Sequence, residues 1–108
     1  MKRWLTEVEA HRFELEVLSC PKIAVVTFLK KGVASGDLLL SIFERFARES
    51  QSDIAFFKVD VDQCPEITSH YCINKIPTTL IFLRGKVAAH FFGVMSAQKV
   101  RSKIEALA

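Results

Sequence analysis

The chain has 108 residues, 50% of them hydrophobic, with 15 basic and 12 acidic side chains and a formal net charge of +3. That length suits one compact domain over residues 1–108, and a chain this apolar is not disordered. Three Pro and four Gly exclude collagen-like and low-complexity classes, and three cysteines are too few for a disulfide scaffold, which favours a reducing compartment.

Thr6 can cap a helix over residues 6–17, with Glu9 three positions on completing a capping box and Val8, Phe13, Val17 and Leu18 facing inward. Residues 2–5 leave room for a short edge strand before it. Ser19-Cys20-Pro21 breaks the pattern. Residues 23–29 then read as a strand buried on both faces, because they are apolar and β-branched without alternation. Residues 32–36 form a turn, and a helix over 37–48 buries Leu39, Ile42, Phe43 and Phe46.

Residues 54–60 make a second buried strand interrupted by Lys58. Pro65 opens a short helix that runs to about Tyr71. Residues 78–83 and 87–92 flank Arg84-Gly85-Lys86 as a β-hairpin, with Phe56, Phe57, Phe91 and Phe92 mostly in the core. Ser96 caps a last helix with Val100, Ile104 and Leu107 inward. Alternating α and β elements with a terminal hairpin imply an α/β fold, a mixed sheet covered by helices on both faces.

This order resembles the thioredoxin family over nearly the whole chain. The resemblance rests on residues 23–28, on Lys58-Val59-Asp60-Val61-Asp62, on Tyr71-Cys72-Ile73-Asn74-Lys75-Ile76-Pro77-Thr78, on Arg84-Gly85-Lys86-Val87 and on Gly93-Val94-Met95-Ser96. It implies a thioredoxin fold, a central mixed β-sheet of four to five strands flanked by helices on both faces. It also implies a cis-proline loop at Pro77.

The chain departs from the family at its redox centre. Where thioredoxins read Trp-Cys-Gly-Pro-Cys-Lys, this sequence reads Gly32-Val33-Ala34-Ser35-Gly36-Asp37, and no two of Cys20, Cys64 and Cys72 stand three apart. Thr27 replaces the family's buried strand aspartate, although Lys58 survives beside it. Dithiol exchange needs a resolving thiol, so thioredoxin-type reductase activity is not expected.

The resemblance implies instead a peptide-binding face formed by Val33, Ala34, Ile76, Pro77, Thr78, Gly93, Val94 and Met95, where an extended partner would pair with backbone beside the proline. Preservation of the fold alone accounts for Pro77 equally well. Ser35 and Asp37 read as helix-capping chemistry or as the remnant of an active site. Lys30, Lys31 and Lys75 would favour an acidic polypeptide partner, or are simply solvated. Homodimerisation through the apolar face is a further expectation.

The alternative function is monothiol redox or disulfide exchange using Cys72 or Cys64; the helix N-terminus would lower the Cys64 thiol pKa, although a small capping or packing role is commoner for such a residue. Cys64 and Cys72 would lie about 12 Å apart across one continuous helix, beyond the ~7 Å that a disulfide tolerates. His11, His70 and His90 form no zinc signature, and the expectation is no metal and no cofactor. No phosphate loop, RNA-binding aromatic pattern, signal peptide or membrane span is legible, so a soluble cytoplasmic protein that binds neither nucleic acid nor membrane is expected.

Overall fold

The computed structural model describes residues 5–49 and 53–107. Five strands form one mixed sheet in the order β1-β3-β2-β4-β5. They are β1 (Thr6–Glu7), β2 (Ile23–Leu29), β3 (Ile54–Asp60), β4 (Thr78–Leu83) and β5 (Lys86–Phe92). β2 runs parallel to β3 and antiparallel to β4, while β4 and β5 make the hairpin.

Because β2 and β3 are sandwiched, both faces of each are apolar. Val26, Phe28, Phe57, Val59, Leu80 and Phe82 point into one core layer, which Phe13, Val17 and Cys64 complete. Val25, Phe56, Ile81 and Phe91 point into the other. That second layer is closed by α1 (Ala34–Glu49) through Leu39, Phe43 and Phe46, and by α3 (Ala97–Glu105) through Val100 and Ile104. Ser96 caps α3 by accepting the Lys99 amide at 3.2 Å, as its sequence suggests. On the first face lie α2 (Pro65–His70) and an irregular helical stretch, 3-10 at Ala10–Arg12 and π-helical at Glu14–Leu18.

The first segment departs from its expected form. Thr6 and Glu7 do not begin a helix; they pair in parallel with Phe57 and Lys58, and the Val8 amide donates to the Lys58 carbonyl at 2.9 Å. A ladder to a strand some fifty residues on supplies more backbone bonds than a capping box, and Glu9 makes no side-chain cap. The edge strand therefore falls later than residues 2–5, of which 2–4 lie outside the described residues. Val8, Phe13 and Val17 are buried all the same.

α1 starts earlier than expected. Gly36 lies inside the helix rather than in a turn, and its amide donates to the Val33 carbonyl at 3.0 Å. Ser35 is therefore a first-turn residue and not the cap, while Asp37 remains in the first turn, where the helix dipole favours an acid. α2 ends at His70, and Cys72 lies beyond it with φ of 55°, so no helix spans from Cys64 to Cys72.

Phe92 corrects another expectation, being 51% exposed rather than core. It stands on β5, the edge strand of the sheet, paired with Thr78 and on the same face as Leu80, so strand neighbours flank it on one side only.

Candidate functional site

Two loops built on the carboxyl end of β2 and the amino end of β4 carry the residues singled out in the sequence. After Leu29, the chain turns through Lys30, Lys31 and Gly32 and enters α1 at Ala34. Before β4, the Ile76–Pro77 peptide is cis. The Pro77 carbonyl accepts the Gly93 amide at 2.9 Å, and the Thr78 hydroxyl donates to the Lys75 carbonyl. These bonds bring Pro77, Thr78 and Gly93 together at the ends of the paired strands.

Burial divides the candidate face into two kinds of residue. Pro77 and Thr78 are buried. Ala34 and Val94 are exposed, while Val33, Ile76, Gly93 and Met95 are half-buried. Ile76 packs on the first core layer and Met95 on the second, so their side chains sit on opposite faces of the sheet. The Ile76 amide and carbonyl make no backbone hydrogen bond among the described residues.

Val33 lines a cleft of about 130 Å³ together with Leu29, Gly36, Lys58 and Asp60. Lys30 and Lys31 border it, as does Glu7, whose carboxylate stands 3.8 Å from the Lys58 ammonium. Lys75 is not part of this group; its ammonium lies 4.9 Å from the centre of the Phe92 ring. Leu29, Glu7 and Asp60 escaped notice as site residues because nothing local in the sequence says that β1 docks beside β3.

Gly36 stands where the resemblance puts the second thiol of the family's motif. A Cβ there would stand 2.9 Å from Leu29 Cδ2, closer than real Cβ contacts. Thr27 is fully buried, and its hydroxyl shares a 3.1 Å hydrogen bond with that of Thr79, its partner across the ladder. A neutral, satisfied pair therefore stands where the resemblance puts an ionisable acid.

The thiols differ sharply. Cys64 is buried with Sγ 3.7 Å from the Val8 carbonyl, and burial pushes its pKa up, aided by the Asp60 and Glu7 charges. That is the reverse of activation by a helix N-terminus: α2 has only six residues, and the surroundings are apolar and anionic. Cys72 is exposed, and all three cysteines are free. No cluster of three or more metal-ligating side chains forms among the described residues.

A sequence profile of the thioredoxin family matches residues 5–106. The chain belongs to the thioredoxin family. It is 36% identical over 90 residues to a thioredoxin of Mycoplasmoides gallisepticum, covering 83% of this chain and 89% of that protein. It is 27% identical over 99 residues to thioredoxin 2 of Chlorobaculum tepidum, covering 92% and 91%. A Rickettsia bellii thioredoxin is 32% identical over 74 residues, covering 68% and 70%. Among the described residues no helix of this thioredoxin-family domain is long and apolar enough to cross a membrane.

Proposed function

We propose that this thioredoxin-family domain binds a polypeptide without dithiol chemistry, through the surface around Ile76 and Pro77. The observation that carries this reading is the pair Val33 and Gly36, which stand where the family motif has its two thiols, with no Cys-x-x-Cys elsewhere in the chain. The free backbone groups of Ile76 support strand-like pairing with an extended segment, while Pro77 is engaged by Gly93. Val33, Ala34, Val94 and Met95 offer the flanking apolar contacts. A cytoplasmic setting accords with three unpaired cysteines.

A second reading is supported by the exposed Cys72 and by relatives named thioredoxin. Its thiolate would attack a disulfide sulfur, form a mixed disulfide and release the other sulfur as thiolate, and a thiol from solution would then resolve the product.

The two readings separate in an insulin-type disulfide reduction assay with dithiothreitol as reductant. Binding without chemistry predicts no turnover above the reductant alone, and Cys72→Ser changes nothing. Turnover that Cys72→Ser abolishes would replace the first reading by the second. A partner whose affinity is indifferent to Ile76→Ala, Val94→Ser and Met95→Ala would refute the proposed surface.

A further inference from the structure

The charges of this chain are segregated along the sequence. Every Asp and Glu except Glu105 lies in residues 1–66, and residues 67–104 carry Lys75, Arg84, Lys86, Lys99, Arg101 and Lys103 with no acid. That acid-free stretch builds the Pro77 loop, both strands of the hairpin and nearly all of α3. Lys75, Arg84 and Lys86 take part in no ion pair among the described residues. Their charge is therefore uncompensated at the side of the sheet that ends in β5.

β5 is also a free edge, with β4 as its strand neighbour on one side and none on the other among the described residues. Its outward peptide groups are open to a further strand. The bulge shifts the side-chain alternation, so that Val87 joins His90 and Phe92 in lining one groove of about 280 Å³. The opposite wall is Tyr71, Cys72 and Ile73, and no carboxylate lines it. Val87 is 44% and Phe92 51% exposed, a large apolar area for strand positions.

We propose that the free edge of β5 is a second docking surface, for an acidic extended polypeptide. Such a segment adds as a strand along β5 and sets an apolar side chain into the groove between Phe92 and the Tyr71–Cys72–Ile73 wall. Its carboxylates then face Lys75, Arg84 and Lys86. A polynucleotide would meet the same cations but leave the peptide groups of β5 unpaired, so charge and backbone together favour a polypeptide. The surface is distinct from the Ile76 backbone proposed above and stands whether or not that reading holds.

The probe is a fluorescein-labelled decapeptide alternating glutamate and valine, with a lysine–valine decapeptide and a single-stranded oligonucleotide as comparisons. Fluorescence anisotropy is expected to show binding of the acidic peptide alone, weakened by high salt. Lys75→Glu/Lys86→Glu is expected to reduce its affinity by about tenfold or more. Phe92→Ser, an exposed change that circular dichroism can verify as folded, is expected to do the same, while Met95→Ala has no effect.

Because Cys72 lines the groove, the bound peptide should slow its alkylation by a maleimide and protect β5 amides from hydrogen exchange. Absence of binding, equal binding of the lysine peptide, preference for the oligonucleotide, or binding that leaves Cys72 alkylation unchanged would each overturn the proposal. So would a salt-insensitive dimer, seen by sedimentation, that Phe92→Ser dissolves, since the edge would then serve a second copy.

Discussion

The Thr27–Thr79 pair offers a stringent test of how this domain satisfies polar groups in its core. Both side chains are fully buried, and the 3.1 Å bond between their hydroxyls is the side-chain bond that satisfies them, with no buried side-chain polar atom left unpaired among the described residues. Thr27→Val keeps the shape but leaves the Thr79 hydroxyl without a partner. Orphaning a buried hydroxyl costs about 1–3 kcal/mol, whereas replacing both partners by apolar groups of the same shape is nearly neutral.

For a chain of this size each kcal/mol moves Tm by about 4 °C. Thr27→Val and Thr79→Val should therefore each lower Tm by about 4–12 °C, and the double variant by no more than about 4 °C. Urea denaturation of all four proteins should yield a coupling of about 1 kcal/mol or more, with m unchanged. Additive losses, with the double variant falling by the sum of the singles, would refute the reasoning. They would mean that each hydroxyl is satisfied independently of the other.

Three further outcomes follow from particular contacts. Gly85 has φ of +81°, and a Cβ there would stand 2.8 Å from the Leu18 carbonyl oxygen. Gly85→Ala should cost about 2–4 kcal/mol by denaturation, while Gly32→Ala, at φ of +87° but with open space around it, should cost only about 1–2 kcal/mol. The folded chain holds the Cys64 proton more tightly than the unfolded chain does, because burial first, then Asp60 and Glu7, raise its pKa above the usual 9.0. The Cys64 contribution to stability should thus be constant below pH 9 and be lost as pH rises through the folded value; Cys64→Ala should delay the alkaline fall toward the range of Tyr71, whose pKa burial raises above its usual 10.0. Under native conditions a maleimide should label exposed Cys72 rapidly and buried Cys64 only on opening of the fold, which timed mass spectrometry reads directly. Equal labelling rates would contradict the burial of Cys64.

Much of the architecture is legible in local pattern. The unbroken apolar runs of β2 and β3 announce strands buried on both sides, and Ser96 announces α3 by a cap whose bond needs only three following residues. Thr6 and Gly36 show where such reading stops. Thr6 carries a sound capping signal that loses to a ladder with Phe57, and Gly36 looks like a turn residue although its missing side chain serves a close approach to Leu29. Phe92 fails for the same reason. Its apolar neighbours suggest core, yet its place on the edge strand of the sheet leaves it half exposed.

Periodicity and turn residues alone were enough for the alternating α/β order, motif resemblance pointed to the thioredoxin family, and the absence of a Cys-x-x-Cys pair is read directly from the residues. Those properties depend on residue identity and near-neighbour spacing, which a sequence displays in full. Only the tertiary structure decided that Cys64 is a buried thiol whose pKa burial raises, that the Thr27 and Thr79 hydroxyls satisfy each other, and that β5 is an edge strand with exposed apolar side chains near Lys75, Arg84 and Lys86. Burial, hydrogen-bond partners and strand edges are relations between segments far apart in the chain, and they acquire values only when the layers close.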